Sequence, residues 1–131
     1  MENRKDALSK IVVGDIFHAS ALNGASFICL TLQIRENAIF ARRVTTQSVH
    51  EFDRTTGIEG PDTNPLIIDS VAPLPADIRD IMLKIDWKYR LDEYRRAEDP
   101  EWKMPAEDAA LSEEEKRGLL FIGDFYRAHP I

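Results

Sequence analysis

The alternation of apolar and polar residues changes period along this 131-residue chain. Over residues 11–71 the dominant period is two, the mark of half-buried strands. It is clearest over residues 26–35, where Ile28, Leu30, Leu32 and Ile34 alternate with Cys29, Thr31, Gln33 and Arg35. The pattern predicts one apolar face and one polar face. Similar short, β-rich runs cover residues 11–18, 38–45, 48–53 and 66–71, so five strands are expected. Arg35-Glu36-Asn37-Ala38 supplies a turn, because Asn tolerates the left-handed conformation. Asp53-Arg54-Thr55-Thr56-Gly57 supplies another, with Asp and Thr side chains able to bond the turn backbone and Gly able to take positive φ. Residues 57–65 are dense in Gly and Pro and read as a mobile loop.

After Pro73 and Pro75 the period becomes helical, with Pro75 suited to a helix start and Asp77 favourable in the first turn. Within residues 75–96, Ile78, Ile81, Met82, Ile85 and Tyr89 fall within about 60° of one direction at about 100° per residue. Leu83, Trp87, Leu91 and Tyr94 cluster on the far side. A helix lying on one core needs a single apolar stripe. The second stripe must meet the C-terminal segment, a second copy of the chain, or another protein.

Residues 97–111 are acidic and contain Pro100 and Pro105, which predicts an irregular linker. Trp102 and Met104 are the residues able to pin it down. Ser112-Glu113-Glu114-Glu115 has the spacing of a capping box, so a final helix is expected over residues 113–128. Its body is apolar over more than one face, enough to cover the Trp87 stripe and leave a surplus face that includes Leu120 or Phe121. The expected interaction surface is therefore drawn from Leu83, Trp87, Leu91, Tyr94, Leu120 and Phe121.

These elements give an α+β class. A small SH3-like β-barrel, or a bent five-stranded antiparallel sheet, is followed by two C-terminal helices. Closing the sheet would remove the exposed edges that invite aggregation. The length suits one domain over residues 1–131, with residues 1–10 as a flexible N-terminus and residues 11–71 as the barrel part.

Charge narrows the function classes. The net charge is −6, yet residues 1–60 are balanced, with seven Lys or Arg (4, 5, 10, 35, 42, 43, 54) against seven Asp or Glu (2, 6, 15, 36, 51, 53, 59). The negative excess thus lies in the second half, which argues against general binding to a phosphate backbone. A single cysteine, Cys29, rules out an internal disulfide and favours the cytoplasm. The first ten residues are too polar for a signal peptide, and no run approaches the roughly 20 apolar residues of a membrane span.

No catalytic constellation stands out. His18, Cys29, His50 and His129 are scattered and lack the paired spacings of a structural zinc site, so no metal is expected. Cys29, His50 and Asp53 could meet on neighbouring strands, but a free Cys is commonly an inert packing residue. Glu51 and Asp53 share a strand face, the usual place for solvated charge. Gly57 and Gly60 lack the lysine and following helix of a phosphate loop, so no cofactor is expected.

Arg35, Arg42 and Arg43 sit on or beside one hairpin, with Phe27 and Phe40 near in sequence. Small barrels can pair such cations with aromatic stacking platforms to hold single-stranded nucleic acid. Gly14-Asp15-Ile16-Phe17, a small barrel and a helix after the last strand together resemble the PemK/MazF endoribonuclease family over the first two-thirds of the chain. That family places an Arg-Pro pair where this chain has Gly24-Ala25-Ser26, so the resemblance carries over no catalytic residue. The leading expectation is a non-catalytic interaction or assembly module, self-associating or binding another protein through its helices. The alternative is an RNA- or single-strand-binding barrel using Arg35, Arg42 and Arg43.

Overall fold

A computed structural model describes residues 3–60 and 64–131. The class is α+β: five antiparallel strands form a curled half-barrel, followed by C-terminal helices. The strands are β1 (Ile16–Ala21), β2 (Ser26–Arg35), β3 (Ala38–Arg43), β4 (Val49–Asp53) and β5 (Leu66–Ser70), in the spatial order β4-β3-β2-β1-β5. Residues 57–60 join the two edges, with Glu59 bridging Phe52 of β4 and Ile58 bridging Ile67 of β5. This part of the expected mobile loop is therefore built into the sheet; residues 61–63 lie outside the described residues. The Asp53 turn forms as its residues dictate. Asp53 Oδ1 accepts from Thr55 N at 2.8 Å and Thr56 N at 2.9 Å, and Gly57 takes φ 73°. The donors from Thr56 and then Thr55 hold the Asp53 carboxyl below its ordinary range.

The strand with the cleanest alternation is buried on both faces, so its expected polar face is corrected. Cys29 and Thr31 point into the barrel core, while Ile28 and Leu30 face the helices. The phase then shifts at a bulge between Thr31 and Gln33, which returns Ile34 to the barrel side. A central strand covered on two sides needs small or apolar residues on each, and Cys29 and Thr31 are compact enough to meet that need.

Residues 3–10 also depart from the expectation of a flexible N-terminus, while residues 1–2 lie outside the described residues. Helix α1 (Arg4–Ser9) is capped by Asn3, whose Oδ1 accepts from Asp6 N, and it buries Ala7 and Leu8. Two arginines staple it over the barrel: Arg4 donates to Thr56 O and Ile68 O, and Arg54 donates to Ser9 O and Ile11 O. Strand β1 starts at Ile16 instead of residue 11, because Gly14 at φ 95° and Asp15, bonded back to Val12, make a turn first.

On the other face of the sheet lie α2 (Ala76–Glu98) and α4 (Glu113–Ala128). Ile78, Ile81, Met82 and Ile85 of α2 pack with Ile122 and Tyr126 of α4 against Ile16 and Val44. The two helices run antiparallel, tied by Lys84 to Glu114 at 3.1 Å and Lys88 to Glu115 at 2.7 Å. Gly118 allows their close approach: a Cβ there would sit 2.8 Å from Ile81 Cγ2. The Ser112–Glu115 capping box opens α4. Between the helices, residues 97–111 contain a single turn, α3 (Ala106–Ala109), that follows Pro105. Trp102 folds this segment back, donating from Nε1 to Asp92 Oδ1 at 3.0 Å.

Candidate functional site

The expected interaction residues lie on the outer surfaces of the two long helices. Trp87 is 57% exposed and Tyr94 62%, while Leu83 and Leu91 on the same stripe are half-buried. Arg90 covers part of the indole, its guanidinium carbon 4.9 Å from the Trp87 ring centroid. Helix α4 does not cover this stripe, contrary to one sequence expectation. Its apolar residues Leu119, Ile122 and Tyr126 are committed to the core, and Gly118 meets the flank of α2 at Ile81 and Met82. Leu120 is left 77% exposed, and Phe121 stacks on Phe125 at 5.5 Å. Two apolar outer surfaces thus remain open.

The arginines are not brought together. Arg42 turns under α2 and makes a two-pronged pair with Asp86, Nε to Oδ1 at 3.0 Å and Nη2 to Oδ2 at 2.8 Å. Gln47 joins the same carboxylate from the β3–β4 turn at 2.9 Å. Arg43 points to the opposite face of the sheet and lies over the Phe27 ring at 3.5 Å. Arg35 is exposed near the β2–β3 turn. Only one of the three presents an uncommitted cationic head, so no cationic groove is assembled from them.

Two histidine–carboxylate pairs, neither singled out by spacing, flank the sheet. Ser48 Oγ lies 3.0 Å from His50 Nε2, and His50 Nδ1 bonds Glu59 Oε2. Glu59 Oε1 also accepts from Leu66 N at 3.2 Å. The order of bonds is that of a nucleophile, a base and an orienting acid. Ser48, however, is exposed and shares its hydroxyl with Thr46, and Glu59 is the residue that bridges the sheet edges. The chain of bonds therefore acts as a staple that closes the half-barrel. Cys29, considered with His50 in the sequence, is sealed in the core, and burial pushes its thiol up to about 12 against the opposing pull of Arg43.

The second pair borders a cleft of about 530 Å³ between α4 and the sheet. His18 Nδ1 and Asp69 Oδ1 are 2.5 Å apart, and Ser20 Oγ donates to Asp69 Oδ2 at 2.8 Å. The His18 ring lies 5.1 Å from the Tyr126 ring. Tyr126 is only 3% exposed, and its Oη has no hydrogen-bond partner among the described residues. Burial also raises its phenol above the ordinary value. Sequence spacing could not have joined residues 18, 69 and 126; the one available signal was a tyrosine on an otherwise apolar helix face.

Compared with known protein families, curated proteins and solved structures, the chain matches none. Among the described residues, no group of three or more His, Cys, Asp or Glu is placed to hold a metal ion, and no helix is long and apolar enough to cross a membrane.

Proposed function

We propose that the protein is a non-catalytic assembly module that pairs with a second copy of itself through the outer face of α2. The observation that carries this reading is the exposure of Trp87 and Tyr94, two turns apart on one face of a long helix. Exposed aromatics in an apolar stripe are favoured at interface centres, where they become the residues that dominate binding. Charge supports a second copy as the occupant. An antiparallel pair with its two-fold axis at Leu91 sets Lys84, which also holds Glu114 of its own chain, across from Glu98, and Trp87 across from Arg95, which also lies over its own Trp102, so opposite charges and a cation–ring pair meet across the face. Leu91 then lies at the apolar centre, Leu83 falls towards its edge, and Leu120 and Phe121 belong to a second patch on α4. Cytoplasmic residence fits the same reading, since the lone cysteine is free and buried.

Sedimentation velocity across a wide concentration range tests the proposal. A reversible dimer is expected, converted to monomer by Trp87→Ala together with Tyr94→Ala without loss of circular dichroism. A protein that stays monomeric at every concentration would overturn it.

A further inference from the structure

We propose that the cleft between α4 and the sheet binds a small primary amine as its ammonium ion, with the charge on Asp69 and an apolar body along the cleft walls. This site is separate from the outer face of α2. Asp69 is the one acidic residue among the described residues that line the cleft, and its side chain is 39% exposed. The carboxylate is also fixed in place. Its Oδ1 lies 2.5 Å from His18 Nδ1, and its Oδ2 accepts from Ser20 Oγ at 2.8 Å, so both oxygens are held by residues of the neighbouring strand β1. Each oxygen can still accept a further bond.

Charge chooses the ligand. Two arginines stand near Asp69, and both are committed elsewhere: Arg127, which also lines the cleft, pairs with Asp124 at 3.3 Å, and Arg4 donates to the carbonyls of Thr56 and Ile68. Among the described residues no lysine or arginine forms an ion pair with Asp69. A fixed carboxylate without a cationic side chain of its own is the complement of an ammonium ion, and the chain's net charge of −6 favours the approach of a cation. An anion would meet the Asp69 charge. Ile28, Leu119 and Ile122 supply apolar walls, and the volume of about 530 Å³ falls in the range of small-molecule sites. The occupant is therefore a cation with an apolar body.

The test is a titration followed by backbone amide NMR, with 3-phenylpropylamine as the ligand. His18 is charged only when protonated, so the titration is run at about pH 8, above the ordinary histidine range. The controls are 3-phenyl-1-propanol, of similar size but neutral, and 3-phenylpropanoate, an anion. The amine is expected to give saturable shifts at Asp69, Ile122 and Gly123 and to bind about tenfold or more tightly than either control, the share of one charged hydrogen bond. Asp69→Asn keeps the shape and an acceptor while removing the charge, and should weaken the amine by about the same factor. Gly123→Leu supplies an independent check, because Gly123 lines the cleft and a Cβ there meets no atom within 4 Å, so the longer side chain has room to fill the site. This variant should abolish the shifts. The proposal is overturned if the amine does not saturate, if its shifts fall on the Trp87 face of α2, if either control binds as tightly, or if either variant keeps wild-type affinity.

Discussion

The two sides of α2 carry similar apolar residues and meet opposite fates. On the sheet side, Ile78, Ile81, Met82 and Ile85 are sealed; on the far side, Trp87 and Tyr94 stand in solvent. Apolar content does not decide between them. The covered side also holds Asp86, which takes two bonds from Arg42 and one from Gln47, and it faces Gly118 where α4 draws close. On the open side Lys84 reaches Glu114 of α4 from the margin, but among the described residues no hydrogen bond from another element reaches Leu83, Trp87, Leu91 or Tyr94, and the Trp87 ring meets its own Arg90. A polar network and a glycine register the helix on the sheet, and the surplus apolar stripe is left for something else.

The strongest way to break this contrast is at Asp86. The Arg42 and Asp86 side chains are 13% and 6% exposed, so Asp86→Ala strands a guanidinium beneath the helix. Removing one partner of such a pair costs about 3–5 kcal/mol. Urea unfolding should show a loss of that size, and a loss below about 1 kcal/mol would mean that Arg42 escapes to water and the network does not position α2.

How tightly the opposite, barrel face of the same sheet excludes solvent is reported by Cys29. Burial holds its proton well beyond the ordinary thiol value of 9.0, up to about 12. A group raised on folding contributes stability below its unfolded pKa and loses it as pH climbs toward the folded value. Wild type should therefore lose thermal stability between about pH 9 and 12 by more than Cys29→Ala does. Tyr126, also raised by burial, adds to the alkaline slope and remains in both proteins. Equal slopes for the two would show that the thiol is not sealed.

Part of this architecture was legible in the sequence, and the rest was not for physical reasons. Strand alternation, the Asp53 turn and the Ser112 cap are local, and each appears where its residues place it. The two stripes of α2 were also local. What covers each was a matter of packing between distant elements. Thr31 and Cys29 read as the polar side of a strand because alternation assumes one dry face, whereas β2 is dry on both. Arg4 and Arg54 enter the sequence only as two charges in a balance, yet they tie α1 to the barrel across about fifty residues of chain. His18, Asp69 and Tyr126 meet only because β1 pairs with β5 and α4 returns over them.

Smaller effects separate the two glycines of α4. At Gly118 a new Cβ would press on Ile81 at 2.8 Å and on Met82 at 3.1 Å, while at Gly123 it meets nothing. Overpacking costs about 1–3 kcal/mol, and replacing a helical Gly by Ala returns about 1. Gly118→Ala should therefore lower stability by about 1 kcal/mol, whereas Gly123→Ala should raise it by up to about the same amount. Two substitutions of one kind on one helix then differ in sign, and matching signs in chemical denaturation would deny Gly118 its role in the helix contact.

The smallest folding effect is expected at Trp87, which makes it the most informative position on the open side. For the monomer, Trp87→Ala should change stability by no more than about 0.5 kcal/mol, the range of exposed sites. A buried aromatic such as Phe17, fully enclosed in the barrel, should lose about 3–5 kcal/mol on the same truncation. Self-association alters the expectation in one measurable way, because pairing stabilises the folded state by mass action. Wild type should melt higher as protein concentration rises, and Trp87→Ala should not, so that the two melting curves converge on dilution. A difference that persists at the lowest concentration would place Trp87 within the fold's own packing, and the absence of any concentration dependence in wild type would leave the outer stripe without a second copy to cover it.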